Sequence, residues 1–177
     1  MIQLRYVIVS VVKGPAGTFN NNLRKEIFEK FNIKSSKLPA HFTIKAPFEC
    51  SDICKIDNLI ENFCKHRKNT KYLIDGYDHF DDRVIFMKVN MSNDGKKIHD
   101  ELIDELSKLD CIDFNKKDGK DKIFHVTVSS KKIKNVYNQL WNFITKSSCY
   151  YECSFNNICV YQWENNTWIL HKEFNFS

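Results

Sequence analysis

Pro39-Ala40-His41-Phe42-Thr43-Ile44-Lys45-Ala46-Pro47-Phe48 is the stretch that decides the fold, because its pattern returns later as Phe124-His125-Val126-Thr127-Val128. Of the six histidines, only His41 and His125 carry a hydroxyl residue two positions on. Successive side chains of a strand point to opposite faces. His41, Thr43 and Lys45 therefore share one face, and Phe42 and Ile44 the other. The second copy divides the same way: His125, Thr127 and Ser129 on one side, Phe124, Val126 and Val128 on the other. Each strand offers an imidazole and a hydroxyl outward while its apolar face anchors it. A single His-x-Thr is an ordinary half-exposed strand, since Thr and aromatic residues favour strands; the repetition sets this pair apart.

Working outward, Leu4 to Val12 reads as a buried strand and Gly14-Pro15-Ala16-Gly17 as a breaker cluster after it. Leu23, Ile27, Phe28 and Phe31 then fall at helical spacing over Asn20 to Phe31. Ser51 or Asp52 is placed to cap a helix bearing Ile53, Ile56, Leu59, Ile60 and Phe63. Strands follow over Tyr72 to Phe80 and Arg83 to Asn90, joined by an Asp81-Asp82 turn. Ser92-Asn93-Asp94-Gly95 opens a helix with Ile98, Leu102, Leu106 and Leu109 on one face and His99 on the polar side. Asn115 to Lys122 reads as a charged, solvated loop. After the second motif come an amphipathic helix (Ile133, Val136, Tyr137, Leu140, Trp141, Ile144), strands near Cys149–Phe155 and Ile158–Trp163, a turn, and a last strand over Thr167–Phe176.

The order strand, helix, motif strand, helix, strand thus occurs over about 4–80 and again over about 83–163, with a closing strand about 167–176. The expected fold is α+β: one bilobal, duplicated domain across 1–177, two antiparallel-rich sheets with outer helices around a central cleft. Equivalent motif strands would face that cleft, bringing His41 and His125 together.

Composition sets the class. A chain of 177 residues can bury a full core. The N-terminus, Met1-Ile-Gln-Leu-Arg-Tyr-Val-Ile-Val, lacks a small-residue cleavage site and suits a first strand. No run approaches the roughly 20 apolar residues of a membrane span, so a cytoplasmic monomer with no membrane contact is expected. Seven cysteines, without a Cys-x-x-Cys pair or zinc spacing, read as reduced, mostly buried thiols. The net charge of +5 permits a phosphate-bearing partner.

Two imidazoles on one cleft can act as general acid and base, since an unperturbed histidine titrates near ~6.5. Two threonine hydroxyls can each donate to the same bound group. A phosphate fits: its non-bridging oxygens take the hydroxyls, a nucleophile enters on one side, and a leaving oxygen departs in line on the other. That arrangement needs neither metal nor cofactor. Lys45 and Ser129, on the same faces, are the candidate substrate-binding residues.

Pro39-Ala-His41-Phe-Thr43-Ile-Lys45-Ala-Pro-Phe48 and His125-Val-Thr127-Val resemble the paired His-x-Thr/Ser-x motifs of the two-histidine (2H) phosphoesterase superfamily, in its RNA 2′-5′ ligase and 2′,3′-cyclic phosphodiesterase branch. The resemblance implies opening of a ribose cyclic phosphate on a nucleotide or RNA end, usually leaving a 2′-phosphate, with 2′-5′ RNA joining as the reverse chemistry. It carries His41, Thr43, His125 and Thr127 over as catalytic residues, His125 as the base acting on water and His41 as the acid. One departure is present: several relatives that act on RNA carry a basic residue just after the second motif, where this chain continues Ser129-Ser130-Lys131. A non-catalytic nucleotide- or RNA-binding module using the same cleft is the alternative. His66, His79, His99 and His171 lack the motif and read as surface or satisfied residues, and Trp141 as core.

Overall fold

The structure is a computed structural model that describes residues 2–177. In chain order it has β1 (Leu4–Val11), α1 (Gly14–Phe31), β2 (His41–Cys50), α2 (Ile53–Cys64), β3 (Thr70–Phe80), β4 (Val84–Met91) and α3 (Asn93–Leu106). Then follow β5 (His125–Ser129), a short 3-10 turn over Lys134–Val136, α4 (Tyr137–Ile144), β6 (Tyr150–Phe155), β7 (Asn157–Glu164) and β8 (Thr167–Asn175). Two four-stranded sheets result, in the orders β2-β1-β7-β8 and β5-β4-β3-β6, with all pairs antiparallel. This is the α+β architecture expected from the elements.

The sheets do not follow the two halves of the chain. β3, from the first half, pairs with β4 and β6, whereas β7 returns to β1. Each sheet collects strands from both halves, a pairing that strand periodicity does not encode. The consequence for the site is direct: β2 and β5 are the edge strands of their sheets and lie against each other.

Local chemistry accounts for the elements and for one departure from the sequence reading. Gly14-Pro15 opens α1 instead of separating it from β1. Gly14 sits at φ +72° and the proline occupies the first turn, where its missing N–H costs nothing. Gly17 brings the helix against β1, since a Cβ there would lie 2.0 Å from the Val12 carbonyl oxygen. At α3, the Ser92 hydroxyl accepts from Gly95 N at 3.1 Å, the cap its sequence announced. The turn between β7 and β8 places Asn165 and Asn166 at positive φ, which asparagine tolerates well. All seven cysteines are free thiols, with Cys50, Cys64, Cys149 and Cys159 buried.

The larger of two apolar clusters runs through both sheets and includes Ile8, Phe42, Ile44, Ile56, Ile74, Met87, Leu102 and Val126. Phe42 is its hub, 1% exposed. Its ring meets Tyr72, Phe124 and Phe155 edge to face, with centroids 5.6, 5.6 and 5.2 Å away. Phe42 follows His41 and Phe124 precedes His125, so the contact at their backs ties the two motif strands together. Among the described residues, no helix is long and apolar enough to cross a membrane. Truncation of Phe42 to alanine is expected to cost about 3–5 kcal/mol, read as a lowered urea midpoint at unchanged slope.

Candidate active site

His41 and Thr43 lie on β2, His125 and Thr127 on β5, all four half-buried. The two imidazoles are held in the same way. The His41 Nδ1 lies 2.8 Å from the Pro39 carbonyl oxygen, and the His125 Nδ1 lies 2.8 Å from the Ile123 carbonyl oxygen. A carbonyl only accepts, so each Nδ1 carries the proton and donates. Each Nε2 is therefore left with a lone pair in the neutral ring and an N–H in the charged one. Among the described residues neither Nε2 has a hydrogen-bond partner. The His125 ring is further seated by Phe80 and Phe86, each with its centroid 5.1 Å away.

The environment favours neutral rings. Burial drives His41 down to about 4; the positive charges of Arg24 and His125 add to this, and the bond to Pro39 opposes it. Burial also lowers His125, aided by the Lys122 charge.

The four motif residues are divided between two openings. Thr43 and His125 line a cavity of about 670 Å³, together with His79, Phe80, Arg83 and several lysines of the 116–122 segment. On the other side, His41, Thr127 and Ser129 line a narrow crevice with Arg24 and Ser36. The Ser129 hydroxyl is buried there without a partner. Asn20, fully buried on α1, donates from Nδ2 to the Thr127 carbonyl at 3.2 Å and steadies the second motif from behind.

Lys45 stands elsewhere than its alternation suggested. It is 1% exposed, lines neither opening, and its ammonium lies 3.0 Å from an Asp118 carboxylate oxygen. Asp118 also accepts from the backbone N–H groups of Ala46 and Asn115, at 3.1 and 3.0 Å. The Asn115–Lys122 segment, read from its charges as solvated, thus folds over the first motif strand on a fully buried carboxylate. β2 is bulged here, with register shifts between its pairings to Tyr6 and Val9. Burial alone would push the Asp118 carboxyl up, but the Asn115 and Lys45 bonds outweigh it and hold it below the ordinary value. His99, read as polar, is likewise fully buried: its ring packs 4.8 Å from Phe124, and Nδ1 meets Asp100 at 3.0 Å.

The site's cations arrive from places the motifs do not mark. Lys122 donates from Nζ to the carbonyl oxygens of Thr43 and Ile44, at 3.2 and 2.8 Å, and its pKa is lowered chiefly by burial. Arg24 bonds the Ser36 and Leu38 carbonyls at 3.1 and 3.0 Å beside His41. Lys131, next to the second motif, stays exposed. Among the described residues, no cluster of three or more His, Cys, Asp or Glu is placed to hold a metal ion.

Two antiparallel sheets meeting at paired His-x-Thr edge strands define the class of the two-histidine phosphoesterases. The chain belongs to the 2′-5′ RNA ligase superfamily, whose family model matches residues 20–167. It is similar in fold to apo E. coli LigT, with a TM-score of 0.66 at 10% identity, covering 100% of this chain and 99% of that one. TT0787 of Thermus thermophilus superposes at 0.65 and 10% identity, covering 98% of each chain. E. coli LigT complexed with 3′-AMP gives 0.54 at 12% identity, covering 99% of each. No curated protein sequence matches the chain.

Removing the Asp118 carboxylate strands the Lys45 ammonium in the interior. Asp118→Ala is therefore expected to destabilise the fold by about 3–5 kcal/mol, measured by chemical unfolding. Asp118→Ala/Lys45→Met, which removes both charges, is expected to recover much of that loss.

Proposed function

We propose that this chain opens 2′,3′-cyclic phosphates on nucleotides or RNA ends to 2′-phosphates by paired-histidine acid–base catalysis. The observation that carries the reading is the matched seating of the two imidazoles. Each is fixed through Nδ1 to the carbonyl two residues before it, each keeps a free Nε2, and each has a threonine on its own strand face. E. coli LigT, of the same fold, has been solved with 3′-AMP and with ATP, which supports a nucleotide ligand for a cleft of this shape.

In this mechanism the cyclic phosphodiester lies between the imidazoles, with its non-bridging oxygens accepting from the Thr43 and Thr127 hydroxyls. His125 Nε2 takes a proton from water as its oxygen bonds to phosphorus. The bond from phosphorus to the ribose 3′ oxygen breaks, and His41 Nε2–H delivers the proton that this oxygen needs. An imidazole driven to about 4 is, once protonated, a strong acid. A bound phosphate favours the protonated ring, because a nearby negative charge stabilises the imidazolium against the burial that otherwise disfavours it. Lys122 adds positive potential on the His125 side. With an RNA 5′-hydroxyl in place of water, the same groups would join ends through a 2′-5′ linkage.

The test is turnover of the four nucleoside 2′,3′-cyclic monophosphates in EDTA. Wild type is expected to yield the nucleoside 2′-phosphate, and His41→Ala and His125→Ala to lose ~100-fold or more. An inactive wild type that still binds cyclic-phosphate-ended RNA would instead indicate a recognition module.

The pH dependence has a definite sign. kcat/KM needs one histidine charged and one neutral in the free protein, and both titrate below 6.5. Its optimum is thus expected on the acid side of neutrality, with the rate falling as pH rises through 7. Lys122→Met removes a charge that lowers His125, so the limb set by His125 is expected to move to higher pH while kcat/KM drops.

A further inference from the structure

Outside the histidine site, the molecule holds a second concave surface without an assigned ligand. It lies between α1 and the segment leading into β2, and encloses about 620 Å³, room for a nucleotide-sized group. Its lining includes Arg24, Lys25, Lys34 and Lys37 and no carboxylate. Lys25, Lys34 and Lys37 are exposed, and none forms an ion pair with an acidic residue among those described, whereas many other lysines of the chain do. The Lys25 and Lys34 ammonium groups are free to meet an outside anion.

Continuity with the site identifies the kind of anion. Arg24, Ser35 and Ser36 line both this groove and the crevice that contains His41 and Thr127. Whatever enters the groove adjoins the place where a phosphate would react. The Ser36 hydroxyl accepts from Leu38 N at 3.2 Å, which leaves its own proton available to a phosphate oxygen. At the rim, Phe28 is 46% exposed and offers a ring on which a base can stack.

We propose that this groove binds the backbone of a single-stranded polynucleotide contiguous with the phosphate held between His41 and His125. The substrate is then an oligomer in preference to a free cyclic mononucleotide. The inference rests on the proposed function, and it deepens that reading by assigning the substrate's length. Basic grooves with an aromatic rim track nucleic-acid backbones without reading sequence, so the groove confers length preference and not base preference.

The experiment compares wild type with Lys25→Glu/Lys34→Glu on two substrates: a cyclic mononucleotide and a ten-nucleotide RNA ending in a 2′,3′-cyclic phosphate. The matched control is Lys68→Glu/Lys71→Glu, two exposed lysines outside both openings and the groove. In the groove variant, the ratio of kcat/KM for RNA to that for mononucleotide is expected to fall at least tenfold. RNA affinity by fluorescence anisotropy should fall with it, and its log–log salt slope should become shallower by about 1.4 for two lost contacts to a single strand. An unchanged ratio, an equal loss in the control, or an equal loss of binding to an acidic peptide of the same length overturns the proposal. If wild type turns over neither substrate, the functional reading fails, and anisotropy alone decides the groove.

Discussion

The edge-to-face packing of Phe42 on Phe124 is the contact on which the site depends. Neither motif strand is held between two neighbours of its own sheet, because both are edges. An edge strand presents unpaired backbone groups and has only one ladder to fix it. Two edges can nonetheless hold a shared geometry if something rigid joins their backs, and the aromatic cluster around Phe42 does so. Burial of large rings supplies the adhesion; the perpendicular geometry supplies the registration. The residue that follows one catalytic candidate and the residue that precedes the other are thus the same structural joint.

On the cleft side the joint is reinforced by polar groups. Lys122 reaches from the approach to β5 to two carbonyls of β2, and Asp118 pins the preceding loop to Lys45 and Ala46. A buried ion pair is weak as a source of stability, since desolvation offsets most of the attraction. It is strong as a locator, because misplacing either partner leaves a bare charge inside. The segment that carries the cations of the larger cavity is held in place in this way. The same desolvation keeps both imidazoles neutral and leaves their charge states responsive to a bound anion.

The histidine-threonine pairs were legible because strand alternation is a local property. Residues two apart share a face whatever the rest of the chain does, and the repetition of one pattern implied two equivalent strands. Lys45 shows the limit of that logic. The strand is bulged at Lys45, so the alternation breaks there, and a loop from another part of the chain covers the residue. His99 was assigned to the polar side of its helix and is instead buried against Phe124. Asp118, one acid in a run of lysines, gave no local sign that it was the buried anchor. Arg24 and Lys122 could have been suspected only from the need for a cation near a phosphate, and nothing in their spacing pointed to either.

The sequence by itself determined the two His-x-Thr strands, the apolar faces that bury them, the alternating strand and helix elements, and membership of a two-histidine family. Short-range periodicity and side-chain chemistry carry all of these. Only the tertiary structure decided that the sheets draw strands from both halves, that the motif strands are abutting edges, that Lys45 is sealed while Lys122 lies beside His125 and Arg24 beside His41, and that a basic groove adjoins the crevice lined by His41. Those outcomes depend on which distant surfaces pack and which charges lose water, and neither is written in the spacing of neighbouring residues.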